Sequence, residues 1–147
     1  MRVELQIDVH CEEPFAVLHI AKLTPSIQEA IKILEKEGMQ NIITAQSAGK
    51  VFLIDPDTIE VIRTEGRELV LYSKSKERYL LAKPLYELER LLGSDFIRIS
   101  KSAIINFRRI HHAEASFNGT MEVVMKNGIE EVITRSYRKQ FKERLGV

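Results

Sequence analysis

Apolar and polar residues alternate without a break over residues 3–9 (V-E-L-Q-I-D-V), the period of a half-buried strand. A turn through Glu12, Glu13 and Pro14 separates this stretch from a second predicted strand at residues 15–20. The period then lengthens: Ile27, Ala30, Ile31 and Leu34 recur at helical spacing. Thr24 is placed to cap that helix, Pro25 to occupy its first position and Gly38 to stop it. The opening residues thus predict strand, strand, helix, a unit too small to bury its own apolar faces.

From Ile42 onward the pattern is nearly all strand. A short apolar run at residues 51–54 ends in the turn tripeptide Asp55-Pro56-Asp57. Residues 59–63 and 68–72 flank the loop Thr64-Glu65-Gly66-Arg67 and read as a hairpin; residues 78–81 form a further strand. Pro84 then opens a helix with Leu85, Leu88, Leu91 and Leu92 on one side, closed by Gly93. Residues 111–117 give another strand. Asn118-Gly119 and Asn127-Gly128 are hairpin turns around and after residues 121–125, leading to a last strand at 129–133. Ser136 is the expected cap of a short C-terminal helix in which Tyr137, Phe141 and Leu145 share a face. The pattern predicts an α+β fold, mainly antiparallel β with short helices.

The net charge of +1 over 147 residues hides an asymmetry. Residues 1–62 carry five Lys/Arg against ten Asp/Glu, a balance of −5, and residues 63–147 carry seventeen against eleven, a balance of +6. An acidic front and a basic back suit a polyanion-binding domain with a differently employed N-terminal segment. The single Cys11 excludes an internal disulfide. No apolar run approaches the ~20 residues of a membrane span, and the N-terminus does not read as a signal peptide, so the expected location is the cytoplasm.

Catalytic motifs are missing: the sequence has no G-x-S-x-G elbow, phosphate-binding Gly loop or H-E-x-x-H. The histidines at 10, 19, 111 and 112, with Cys11, lack metal-ligand spacing. Asp55 and Asp57 read as turn residues, because the alternating strand–helix units of a receiver domain do not follow them. The expectation is a non-enzyme with no metal, no cofactor and no evident small-molecule ligand.

The most informative stretch is residues 96–110, F-I-R-I-S-K-S-A-I-I-N-F-R-R-I, with four cations and no acid. Such a strand displays Arg, Lys, Ser and Asn, the side chains that contact phosphates and base edges. A solvated basic strand edge is the alternative. Ser100 and Lys101, a conceivable nucleophile pair, would point to opposite faces unless the backbone turned between them. Arg98, Arg108 and Arg109 read as edge or phosphate charges. A second cluster follows at Arg135, Arg138, Lys139, Lys142 and Arg144, opposed only by Glu143.

Taken together, these motifs resemble the LytTR-type DNA-binding domain. The resemblance is carried by I-E-V-I at 59–62, L-Y-E-L-E-R-L-L at 85–92 and F-I-R-I-S-K-S-A-I-I-N at 96–106. It continues in K-N-G at 126–128 and V-I-T-R-S-Y at 132–137. It covers residues 46–147, and residues 1–45 resemble the leader of short stand-alone regulators without a receiver domain. The resemblance implies a compact three-layer β fold that binds imperfect direct repeats in double-stranded DNA, inserting loops rather than a recognition helix into successive major grooves. The implied contacts are Arg63 to Arg67 in a first loop, Ser100, Lys101 and Ser102 in a second, and Arg135, Ser136 and Tyr137 in a third, with Arg138 in the adjoining basic helix. Asn106 is implied to support the second loop. Many relatives carry His-Arg-Ser where this chain has Ser100-Lys101-Ser102; a lysine cannot make the two-pronged contact that arginine makes to guanine.

The function expected is therefore a sequence-specific DNA-binding transcriptional regulator. The alternative is a non-enzymatic module docking on a protein or an anionic membrane surface. For residues 1–45 the expected roles are a homodimer contact or docking to a regulatory membrane protein encoded alongside.

Overall fold

The computed structural model describes residues 1–12, 15–37 and 42–147, and the chain divides into two compact units at Gln40/Asn41. In the first unit α1 (Pro25–Glu37) is the one regular element among the described residues. Thr24 Oγ1 accepts from the Ile27 N–H at 3.3 Å, so the predicted cap and start are in place. The two strands predicted before it are corrected: residues 3–9 and 15–20 pair with no strand among the described residues. Alternation supplies a strand with an apolar face but not with a neighbour for its backbone, and an isolated pair is marginal. Glu13 and Pro14 of the intervening turn, and the stop at Gly38, lie outside the described residues.

The second unit is mostly antiparallel sheet. Its first strands are β1 (Ile43–Ser47), β2 (Lys50–Ile54), β3 (Ile59–Glu65), β4 (Glu68–Ser73) and β5 (Arg78–Leu81). Then come α2 (Leu85–Leu92), β6 (Phe96–Ser100), β7 (Ala103–Asn106), β8 (Ile110–Ala115), β9 (Met121–Met125), β10 (Glu130–Ile133) and α3 (Arg135–Leu145). The first seven strands form one sheet in the order β2-β1-β5-β4-β3-β7-β6, and the last three form a second, β10-β9-β8. The boundary expected at 45/46 falls inside β1, which pairs with β2 throughout and with β5 at Gln46–Leu80.

Two cores lie on opposite faces of β3, β6 and β7, so these strands are apolar on both sides. Ile59, Ile62, Leu71 and Ile104 pack with Leu88 and Leu92 of α2. Val61, Ile99, Ala103 and Ile105 pack with Met121, Val123 and Met125 of β9, Ile133 of β10 and Phe141 of α3. Successive residues must face opposite ways, and the register obeys this: Val61 pairs with Ile105, and Ile62 with Ile104. A β-bulge between Ile59 and Val61 resets the parity, which lets Ile59 and Ile62 serve the same core. Each core side chain of this size contributes about 1.5–3 kcal/mol through burial, enough that the two-faced strands dominate the domain's stability.

The 96–110 stretch is not one strand but a hairpin. β6 ends at Ser100, Lys101 and Ser102 form the turn, and β7 returns. A 3-10 turn, Phe107–Arg109, then leads into the second sheet. The predicted cap at Ser136 also shifts: Thr134 is the N-cap residue of α3, and Ser136 lies inside its first turn. Phe141 is buried and Tyr137 packs against the same core, as predicted, but Leu145, expected on that face, is exposed.

Candidate nucleic-acid interface

The end of the β6–β7 hairpin is the hub of the candidate site. Ser100 pairs with Ala103, and a bulge between Arg98 and Ser100 leaves Ile99 without a partner in the ladder. The Ile99 carbonyl accepts instead from the backbone N–H of Thr134 at 3.0 Å, which seats the start of α3 against the hairpin. On the other side, the Thr64 N–H donates to the Ser102 carbonyl at 2.9 Å, seating the end of β3. The three segments expected to carry contacts are thereby joined by backbone hydrogen bonds at one end of the domain.

Within the turn, Ser100 is buried, and its Oγ accepts from the Ser102 N–H at 3.1 Å. The backbone does turn between Ser100 and Ser102, but the Ser100 hydroxyl engages Ser102 and not Lys101. The Lys101 side chain is exposed and makes no hydrogen bond or ion pair among the described residues. Ser102 is exposed beside it. Arg98, read from sequence as an edge or phosphate charge, is instead the brace of this turn. Its Nε donates to the Ser100 carbonyl at 2.8 Å, its Nη2 to the Lys101 carbonyl at 2.6 Å and its Nη1 to Glu89 Oε2 at 2.8 Å. Each of its three nitrogens thus donates once within the protein.

Arg108 and Arg109 are reassigned as well. Arg108 pairs with Asp95 at 3.1 Å and Arg109 with the buried Glu60 at 2.9 Å. Asn106 is buried at the opposite end of β7 from the Lys101 turn. Its Nδ2 donates to the Ile59 carbonyl at 3.0 Å, and its Oδ1 accepts from the Arg108 N–H at 3.1 Å. It therefore holds the 3-10 turn and the start of β3, not the second loop.

In the first loop, Gly66 and Arg67 form the tight β3–β4 turn, with Gly66 at φ +63°, a conformation that favours glycine. Arg67 is exposed at the tip and has no side-chain partner among the described residues. Arg63 is different. Its guanidinium donates to Glu65 at 2.9 Å and to Glu131 of β10 at 2.6 Å, and it stacks on the Tyr72 ring with 4.8 Å to the centroid. Burial pulls the Arg63 pKa down, but the hydrogen bonds to Glu131 and Glu65 outweigh it and hold it above its ordinary value. Glu65 is lowered by the hydrogen bond from the Tyr72 hydroxyl and then by Arg63. Arg63 is a structural clasp beside the site, with its Nε committed to Glu65 and its Nη1 to Glu131.

In the third segment, Arg135 is the first residue of α3 and is exposed. Its Nε donates to the Asn118 carbonyl at 2.6 Å, and its terminal nitrogens have no partner among the described residues. Glu131, four residues ahead of Arg135, is taken by Arg63. Arg138 Nη1 donates to the Gly119 carbonyl at 3.2 Å, so two α3 arginines hold the β8–β9 turn. Ser136 is exposed, and Tyr137 is half-buried against the core. The sequence reading missed Arg98, Thr134 and the Asn118-Gly119 turn as parts of this end of the molecule. Period-2 alternation would put Arg98 on the same side as Ser100, but the bulge at Ile99 breaks that parity, so no local signal marks Arg98 as the brace.

Among the described residues, no group of three His, Cys, Asp or Glu side chains is placed to hold a metal, and no helix is long and apolar enough to cross a membrane.

An antiparallel β domain that offers exposed cations from adjoining loops and a helix start defines a class: β-rich modules that meet a polyanion with loops. Residues 49–146 match the model of the LytTr DNA-binding domain, and the chain belongs to the LytTR family. The second unit is similar in fold to the LytTr DNA-binding domain of a protein described as a methyl-accepting/DNA response regulator from Bacillus cereus. The TM-score is 0.67 at 21% identity, over 72% of this chain and 97% of that one. The sensory transduction protein LytT of Enterococcus faecalis is 29% identical over 136 residues, 86% of this chain but only 56% of LytT, so the chain spans little more than half of that relative. An uncharacterized HTH-type transcriptional regulator of Staphylococcus aureus is 25% identical over all 147 residues and 99% of its own length.

Proposed function

We propose that this protein is a transcriptional regulator that recognises imperfect direct repeats in double-stranded DNA through loops set in successive major grooves. The observation that carries the reading is the joining of three loops at the β6–β7 turn, through Thr64 N–H to Ser102 O and Thr134 N–H to Ile99 O. That arrangement presents Arg67, Lys101 and Arg135 from one end of the domain as cations whose charged ends have no protein partner among the described residues. In this reading Arg135 makes a base contact, its free terminal nitrogens reaching guanine O6 and N7. Lys101 and Arg67 contact phosphate, Ser102 and Ser136 add hydroxyl contacts, and Ser100 and Tyr137 shape the loops. Arg63 contributes by fixing the first loop, and Arg138 by holding α3 to the neighbouring turn while adding positive potential. Asn106 acts through the fold alone. No metal or cofactor has a part in this reading, which has the protein work on DNA in the cytoplasm.

The N-terminal unit, in this proposal, supplies either a homodimer contact or a docking surface for a regulatory membrane protein. Its support is the amphipathic α1, whose Ile33 and Leu34 are exposed. Leu34→Glu is expected to lower the mass measured by light scattering; an unchanged mass removes the dimer version.

Selection of bound duplexes from a random pool tests the main reading. Recovery of a direct repeat is the expected outcome. Binding to anionic vesicles with no duplex enriched would favour the membrane-surface alternative.

A further inference from the structure

The turn between β8 and β9 carries an aromatic residue that the fold does not use. Phe117 is wholly exposed, whereas Met121, Val123 and Met125 of the same hairpin are buried in the core. Its backbone is nonetheless fixed. The Ser116 N–H donates to the Thr120 carbonyl at 3.0 Å, and Asn118 Oδ1 accepts from the Thr120 N–H at 3.3 Å and from its hydroxyl at 2.5 Å. The turn is also fastened to the start of α3, since Asn118 O accepts from Arg135 and Gly119 O from Arg138. The contact with α3 is close: a Cβ on Gly119, which sits at φ +82°, would stand 3.2 Å from Arg135 Nε. Wherever the Arg135 guanidinium goes, residue 117 goes with it.

We propose that Phe117 is a fourth contact of this interface, an apolar reader of a thymine 5-methyl group in the groove that receives Arg135. The proposal rests on the DNA-binding reading above. Its chemistry is specific. Two arginines bonded to the carbonyls of this turn favour a polyanion over an apolar protein surface, and the groove that shows guanine O6 and N7 to Arg135 also shows the thymine methyl, which aromatic side chains contact. An uncharged ring adds preference without displacing counterions, so its signature differs from that of Lys101 or Arg67.

The test uses the full-length protein and a duplex obtained by selection. Phe117→Ala should bind that duplex about tenfold more weakly, the effect of uncovering one buried aromatic. The thermal midpoint and the slope of log affinity against log salt should not change, because the ring is exposed and uncharged. Each thymine is then replaced singly by deoxyuridine, which removes only the methyl group. Wild type should lose about fourfold at one position, and Phe117→Ala should lose nothing there. Equal binding by Phe117→Ala and wild type, or equal deoxyuridine costs in both, overturns the proposal. So does a change in mass by light scattering with DNA binding intact, which would make Phe117 a protein contact. If no duplex is enriched by wild type, it is the DNA-binding reading itself that fails.

Discussion

Arg63 on β3 donates to Glu131 on β10 at 2.6 Å and so ties a strand of the larger sheet to a strand of the smaller one. β10 runs directly into the start of α3, where Arg135 lies, and β3 runs into the turn that carries Arg67. The clasp therefore fixes the spacing between the first and third loops. A loop that enters a groove must arrive at a set distance from its neighbours, and rigid supports make that possible.

The carboxylate end of this clasp gives it a pH dependence. Glu65 accepts from the Tyr72 hydroxyl at 2.7 Å and from Arg63, and its folded pKa lies below the ordinary value of about 4.5. A depressed carboxylate stabilises the fold above its unfolded pKa, and the contribution is lost as pH falls through the folded pKa. Tyr72→Phe removes the hydroxyl that does most to lower it. Urea unfolding should show the variant less stable than wild type at pH 7, with the gap narrowing as pH falls below the ordinary value of about 4.5. A gap that does not narrow in acid would count against the assignment.

Arg98 predicts a variant that weakens binding without being a contact. Its guanidinium holds the carbonyls of Ser100 and Lys101, so Arg98→Ala frees the turn that displays Lys101. Stability should fall by about 1.5–3 kcal/mol, the cost of hydrogen bonds to a charged group. Affinity for the selected duplex should fall several-fold while the salt slope holds. A slope lower by about one unit would instead mean that Arg98 touches phosphate.

Asn106 separates fold from function. It is buried, and its side chain donates to the Ile59 carbonyl and accepts from the Arg108 N–H, two bonds an apolar side chain cannot make. Asn106→Leu should destabilise by about 1–3 kcal/mol in denaturant melts. At a temperature where the variant stays folded, its base preference should match that of wild type; altered preference would place Asn106 in the interface after all.

How far the sequence shows these things depends on whether a feature is local. Hairpin turns and helix ends are legible because glycine, proline and asparagine mark them chemically, as at Gly66, Gly93, Asn118-Gly119 and Asn127-Gly128. The β1–β2 hairpin went unread because its turn uses Ala48 at φ +50° beside Gly49, an uncommon choice for that conformation. The strands expected over 3–9 and 15–20 failed for the opposite reason: the local signal is strong, but pairing is a tertiary property. At the site, exposed cations could be named from the sequence, but their partners could not. Glu131 lies 68 residues from Arg63, and Glu60 lies 49 from Arg109, so no periodicity reveals which arginines are already committed.

The uncommitted cations give the sharpest division of labour. Lys101 presents one ammonium from a turn and has no protein partner among the described residues, so Lys101→Gln should weaken binding to every duplex alike and lower the salt slope by about 0.9. Arg135 presents the free end of a guanidinium anchored through Nε to Asn118 O. Arg135→Lys keeps the charge but not the planar fork, so the salt slope should hold while preference at one base pair falls by about 1–3 kcal/mol. Fluorescence anisotropy on the selected duplex and on single-base variants, at several salt concentrations, separates the two. If the substitutions exchange signatures, the phosphate contact belongs to Arg135 and the base contact to the turn. Loss of slope in both would mean that neither side chain reads sequence and that preference comes from DNA shape or from the neighbouring β8–β9 turn.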